Sequence, residues 1–448
     1  MSTASATALV AASMIGAGVY TTSGFSLADL GSPWWVLLAW LIGGVIATCG
    51  ALCYGALAER FTESGGEYLF LSRGVHPAAG MTAGWVSLLA GFTGAVAFAA
   101  TTFEEYARDV QWALVNTLPP GSVAMGLVLI ASVIHSFGLR GGTMFQNLVV
   151  LAKFTLIALF LLIAAWTVTS WDGLTSTPSS APQVDERSTW EFALTFANAL
   201  TWISLSYSGF NAAVYLASEV REPKTSVPRA MFWATVGVTI LYLMLNAVFV
   251  LAPRADEVAG QPTVATLAAA AVGRQLGFEG GASLVGGVIR IAILCGLATS
   301  VSALVQTGPR VFSKMAQDGV LPRWIADSRE DSGEDLPHCP IRAIWIQAFM
   351  SLVVIYSTNL RQQLDVLGLT LSVCAAFCGS LVFFLRRGPR PIKVRWYPIV
   401  PLIYVGGTMV IAVLTAIREP AQAAVAAGTL LIGVVVYCVG QALRRPDP

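Results

Sequence analysis

Charge is scarce in this chain. Of 448 residues only 11% are Asp, Glu, Lys or Arg, against 56% hydrophobic, and the mean hydropathy is +0.70. Soluble domains carry roughly a quarter charged residues, so a soluble protein of this composition could not cover its surface. The net charge is +1, which leaves no basic field for nucleic acid. Histidine is equally sparse: His76, His135 and His338 are too far apart in sequence to form a metal motif. Of the seven cysteines, six lie in apolar runs, and Cys339 lies in a charged loop. None falls in a segment read as external, which argues against a disulfide framework. The i,i+4 pairs Cys49/Cys53 and Cys374/Cys378 share helix faces and read as apolar packing. There is no basic leader or small-residue cleavage site, hence no cleavable signal peptide. The first apolar run starts almost at Met1, so a start upstream of Met1 is expected.

What the chain has in abundance is long apolar runs, most near or beyond the roughly 20 residues that a bilayer span needs. Twelve are read, at 4–31, 34–59, 79–106, 122–138, 143–169, 190–220, 229–252, 283–314, 341–358, 363–386, 396–417 and 421–443. Span 4 is the shortest; spans 1, 3, 6 and 8 are long enough to predict tilt or a break. The reading is an all-α integral membrane protein with about twelve transmembrane helices, a single transmembrane domain over 1–448. An even count puts both termini on one side. That side holds 19 Lys/Arg and the other 7, while acidic residues split 12 to 13. The bias is purely positive, so both termini are expected in the cytoplasm and the protein in the cell membrane.

Two loops on the outer side are long. Residues 170–189, rich in Ser, Thr and Pro, predict a flexible cap, and 253–282 predicts a short helix over the outer mouth. The inner loop 315–340 is acidic and solvated. Glu104 and Glu105 are expected at the solvated outer end of span 3. Arg290 reads either as snorkelling to the outer surface or as lining an outer vestibule.

Span 1 carries Met14-Ile15-Gly16-Ala17-Gly18-Val19-Tyr20 near its middle. Two close glycines weaken a helix by about 1 kcal/mol each relative to alanine; tight packing of small residues is the other reading. Span 6 carries Ser204-Leu205-Ser206-Tyr207-Ser208-Gly209-Phe210-Asn211 at a similar depth. Paired interruptions in corresponding helices point to a transporter site at the membrane midplane. A break at Ala17 and Gly18 frees N–H groups, which attract an anion. Free carbonyls around Ile15, Leu205 and Ser206 suit a cation. A zwitterionic α-amino acid meets both demands without any charged side chain. Lys153 lies about ten residues into span 5, roughly 15 Å from its start. A lysine there is costly and usually functional: it either acts in coupling, as a fixed cation, or snorkels to the cytoplasmic face. No acidic residue falls in mid-span, which favours a neutral amino acid. Gly91, Gly94 and Ser372 are plausible pocket liners by depth alone.

Gly16-Ala17-Gly18-Val19-Tyr20 resembles the span 1 signature of the amino acid–polyamine–organocation (APC) superfamily. Three further stretches resemble it in order: Ala58-Glu59 with Ser64-Gly65-Gly66-Glu67-Tyr68; Tyr207 to Asn211 with Glu219 and Pro223 to Ala230; and Arg310 with Met315 to Gly319 and Pro322. The resemblance is nearest to the L-type amino-acid transporters and their bacterial relatives. It implies a five-plus-five inverted-repeat fold, with repeats over 1–170 and 190–386, broken helices 1 and 6, and two further helices over 396–443. It also implies secondary transport by alternating access, not enzymatic activity, with no cofactor or metal. Ile15, Gly16, Ala17 and Gly18 would hold the amino-acid backbone; Leu205, Ser206, Ser208 and Gly209 would form the opposite wall; Asn211 would be a polar contact or hinge support. Lys153 matches the span 5 lysine of sodium-independent members, which makes exchange or proton symport the expected modes. Leu205 replaces a bulky aromatic gate, so occlusion is looser or made by Phe210, and Tyr20 replaces the usual Phe. The outer loop after span 3 lacks the cysteine that joins animal L-type members to a heavy subunit, so no such partner is implied. Transport of an amine, nucleobase or ion on the same scaffold remains the alternative.

Overall fold

The computed structural model describes the chain except for residues 111–112, 138–141, 175, 177, 179–187, 318–322, 326–340, 388–390 and 444–448. The Ser/Thr/Pro-rich loop and the acidic inner loop lie mostly outside the described residues. Regular structure among the described residues is all helix. The principal elements are α1 (Thr3–Met14), α2 (Ala17–Leu30), α3 (Pro33–Arg60), α4 (Gly66–Gly74), α5 (Pro77–Arg108), α6 (Ser122–Ser136), α7 (Gly142–Thr167) and α8 (Thr189–Ser206). Then follow α9 (Ala212–Tyr215), α10 (Pro223–Leu251), α11 (Val264–Arg274), α12 (Gly281–Gln317), α13 (Ile341–Ser357), α14 (Leu360–Leu385), α15 (Ile399–Arg418) and α16 (Pro420–Leu443).

Each apolar run is helical, but they differ in kind. Seven helices are long and apolar enough to cross a bilayer alone, and α1 with α2 form one more span bent by 42°. Of the other runs, α6 and α13 are short, α8 and α9 form an interrupted one, and α7 is continuous over Gly142–Thr167. Helix α5 widens into a π-helix over Ser87–Gly94, a form concentrated at functional sites.

The core is built around the broken elements. α10 packs along α3, and α1 lies against α10. Behind the second break, the rings of Trp40, Tyr207 and Tyr242 meet pairwise at 5.1–5.8 Å between centroids. Each such pair contributes about 0.5–1.5 kcal/mol beyond its buried area. The Tyr207 hydroxyl donates to the Trp40 carbonyl at 3.1 Å.

Both ends of the described chain lie at one end of this bundle. Arg221 N–H donates to the Met1 carbonyl at 2.9 Å, and Tyr437 near the end of α16 meets His76 at 6.0 Å. We call this end inner. The outer end is closed. Gly260 N–H donates to the Gly24 carbonyl at 2.8 Å, Phe25 packs edge-on against Trp202, and Asp29 is paired with both Arg361 and Arg418. The alanine run after α10 forms α11, whose Val264, Ala268 and Val272 are fully buried.

Glu104 departs from expectation: it is buried, not solvated. Its Oε1 accepts from Arg108 Nε at 2.9 Å and from Gly121 N–H at 2.7 Å, and its Oε2 accepts from Ala124 N–H at 2.9 Å. It therefore caps the N-terminus of α6, where free N–H groups and the helix dipole favour an anion. Arg290 pairs with Asp109 at 2.7 Å.

Candidate functional site

The first helix breaks where the two glycines predict it. α1 ends at Met14, Ile15 and Gly16 leave helical geometry, and α2 restarts at Ala17. The first N–H groups of α2, at Ala17, Gly18 and Val19, have no preceding helical turn to bond, and Gly16 offers no side-chain cap. The second break spans Tyr207 to Asn211, between α8 and α9. Gly209 has φ +100°, and a Cβ there would lie 2.8 Å from the Ser13 carbonyl oxygen. That residue brings the second break against the end of α1.

The two breaks meet at Gly18 and Ser206. A Cβ on Gly18 would lie 2.3 Å from Ser206 Oγ and 2.9 Å from Ser206 Cα. Ser206 Oγ also lies 3.2 Å from Thr22 Oγ1. Above this contact Thr21, Thr22, Ser23 and Ser26 are 0% exposed, whereas Ser13 below it is exposed and Gly16, Leu205, Ser208 and Asn211 are half-buried. The breaks are thus more exposed on the α1 side of this contact than on the α2 side.

The carbonyls expected to be free are met from within the chain. Buried Lys153 donates its ammonium to the Ile15 carbonyl. It reaches across from α7, with its Cδ 3.5 Å from where a Cβ on Gly296 of α12 would stand. Lys153 has no ion-pair partner among the described residues. A void of about 20 Å³ adjoins it, lined by Tyr20, Ile157 and Phe160 among others, which is room for about one water. The Leu205 carbonyl accepts from Ser208 N–H at 3.0 Å. The Ser206 carbonyl accepts from the Tyr242 hydroxyl at 3.0 Å, and the same hydroxyl lies 2.7 Å from the Met14 carbonyl. A carbonyl has two lone pairs, so each retains capacity for a second donor.

Asn211 faces away from Gly18 and donates to Glu67 Oε1 at 3.1 Å. Phe210 is likewise turned aside, packed between Tyr54 at 5.3 Å and Tyr404 at 6.3 Å. Gly91 is half-buried, while Gly94 is closed off by Leu367, whose Cδ2 would lie 2.3 Å from a Cβ there. Tyr242 and Glu67 are the residues that sequence reasoning missed. Tyr242 carries no local signal in its apolar run, and Glu67 lies in a polar loop signature. No group of three metal-ligating side chains occurs among the described residues.

Comparison with known proteins gives the family. The amino acid permease family profile matches residues 1–440. The chain belongs to that family. It is 25% identical to the large neutral amino acids transporter small subunit 2 of Rattus norvegicus, over 97% of this chain and 79% of the relative. It is 24% identical to the Asc-type amino acid transporter 1 of Homo sapiens, over 97% of this chain and 81% of the relative. A shorter match, 28% identical, covers 57% of this chain and 52% of the human b(0,+)-type amino acid transporter 1. Family membership and full-length similarity to transporters identify a multi-pass membrane permease rather than an enzyme.

Proposed function

We propose that this permease carries neutral L-amino acids across the cell membrane by alternating access, without sodium, by exchange or together with a proton. Amino acid transport follows from the family and its relatives; the finer terms rest on the site. The observation that carries them is the meeting of the two breaks at Gly18 and Ser206. The N–H groups at Ala17 and Gly18 receive the α-carboxylate, helped by the dipole of α2. Ile15 and Gly16 form the turn that presents them. Ser206, Ser208, Gly209 and the Leu205 backbone form the opposite wall, with carbonyl capacity for the α-ammonium. Asn211 supports the hinge from below. Lys153, held on the Ile15 carbonyl, supplies a built-in cation in place of a sodium ion.

The same reading takes the twelve helical runs as twelve spans arranged as two inverted repeats of five, followed by a pair. Both termini are cytoplasmic, supported by the 19-to-7 distribution of Lys and Arg, with Lys153 counted among the 19.

The test is counterflow in proteoliposomes, with one unlabelled amino acid inside, its labelled form outside, and sodium absent. Accumulation of neutral amino acids that disappears with Gly18→Leu supports the reading. Silence across the amino-acid panel from folded protein, with sodium also tried, sinks it and favours an amine, nucleobase or ion as substrate.

A further inference from the structure

A second polar cluster lies at the inner end, apart from the substrate site. Glu67 is in the first turn of α4, between the spans α3 and α5, and follows the exposed Glu63 and Ser64. It is nonetheless only 5% exposed. Its Oε1 accepts from the Tyr54 hydroxyl at 2.6 Å and from Asn211 Nδ2 at 3.1 Å, and the Cys374 thiol lies 3.9 Å from Oε2. One carboxyl thus ties α3, the linker between α8 and α9, and α14 to α4. The other titratable groups facing it are Tyr215 on α9, Cys378 on α14 and Tyr404 on α15. From α5 comes only the Ser87 hydroxyl, bonded to Tyr215. None of these groups is cationic, and Glu67 has no ion pair among the described residues.

A buried carboxylate without a cation depends wholly on its hydrogen bonds. Burial pushes the Glu67 carboxyl above the usual carboxylate range, opposed by the bonds from Tyr54, Cys374 and Asn211. Protonation turns an acceptor oxygen into a donor and weakens those charge-assisted bonds. Tyr54 has somewhere else to turn, because the Ala375 carbonyl lies 3.2 Å from its hydroxyl. The Asn211 side-chain amide donates to no second partner among the described residues.

We propose that Glu67 is a proton-binding site that controls the inner gate. As a carboxylate it holds Asn211, and with it the unwound linker, against α3 and α14. A proton taken from the inner aqueous phase onto the carboxylate turns Tyr54 towards Ala375 and frees the linker to move; release to the same phase restores the hold. This rests on the transport reading above and adds proton control of the inner gate, which that reading does not contain.

The test uses the full chain in liposomes, with the same pH on both sides, so that counterflow has no driving force. Wild-type exchange is expected to follow a one-proton titration with pH. Glu67→Gln is expected to lose that dependence and to exchange at the wild-type low-pH rate. A Gln variant that keeps the wild-type pH profile overturns the proposal. Should that variant not fold, Tyr54→Phe removes one donor to the carboxylate and is expected to move the midpoint up; an unmoved midpoint overturns it. If the wild type shows no counterflow at any pH, the transport reading fails by itself. Infrared titration of the purified protein then decides for Glu67: a protonated-carboxyl band that Tyr54→Phe moves to higher pH supports the site, and an unmoved band refutes it.

Discussion

Gly18 of α2 and Ser206 of α8 approach so closely that a single methyl on Gly18 would lie 2.3 Å from the serine hydroxyl oxygen. The contact joins two helices at the point where both lose their regular hydrogen bonds. Overpacking of this kind costs about 1–3 kcal/mol. If that cost falls on the transport cycle, Gly18→Ala is expected to cut counterflow by about five- to 150-fold. Its thermal unfolding midpoint in detergent should fall by only a few degrees. Adding Ser206→Gly should recover part of the lost rate, since it removes the nearest colliding atom. Full activity of Gly18→Ala alone would mean that the two breaks separate freely.

Tyr242 carries one hydroxyl proton, and two carbonyls, those of Met14 and Ser206, lie within its reach. Removing the hydroxyl leaves buried acceptors short of a donor, at about 1–3 kcal/mol. Tyr242→Phe keeps the ring contacts with Trp40 and Tyr207. Its exchange rate should fall roughly tenfold for about 1.4 kcal/mol of that cost, with the variant still folded. An unchanged rate would show that the hydroxyl has no part in transport.

Lys153 of α7 donates its ammonium to the Ile15 carbonyl at the break. Lys153→Ala removes the only side-chain donor that Ile15 has among the described residues. Counterflow should fall by an order of magnitude or more, and wild-type counterflow should be the same when choline replaces sodium. A wild type that stalls without sodium would show that the lysine is not standing in for that ion.

Burial holds the Glu67 carboxyl above its ordinary range, so the folded protein binds this proton more tightly than the unfolded chain. The stability it contributes is complete below the ordinary glutamate range and is lost as pH rises through the raised folded value. Every tenfold gain in proton affinity on folding corresponds to about 1.4 kcal/mol. The unfolding midpoint of the wild type is expected to fall with rising pH across that window, and that of Glu67→Gln to stay level there. Equal slopes in both proteins would refute the assignment.

What was legible in the sequence was whatever is local. Apolar runs mark helices because a bilayer span needs an unbroken stretch of nonpolar side chains, and glycine pairs mark breaks because they weaken the helix that holds them. Lys153 stood out because a lysine in an apolar run is an anomaly. Tyr242 did not, because a tyrosine there is ordinary until the fold brings Met14 and Ser206 to its hydroxyl. Glu104 read as solvated, and Glu67 as one residue of a loop motif, for the same reason: each lies by a helix end in a charged stretch. Only the return of α6 onto Glu104, and of the α8–α9 linker onto Glu67, removes them from water. Long-range closure of this kind leaves no periodicity or motif to read.

The wide turn in α5 has a consequence for how this chain tolerates change. Before Ser87–Gly94 the helix packs on α4 and α16; after it, on α6 and α12. A π-helical turn is an α-helical turn with an extra residue threaded in, and each residue advances an α-helix by about 100°. That residue lets the two halves of α5 face different neighbours. Exchanging one apolar side chain for another within 87–94 leaves this bearing intact. Deleting one residue there would shorten the protein by one amino acid and rotate half of a helix away from its partners.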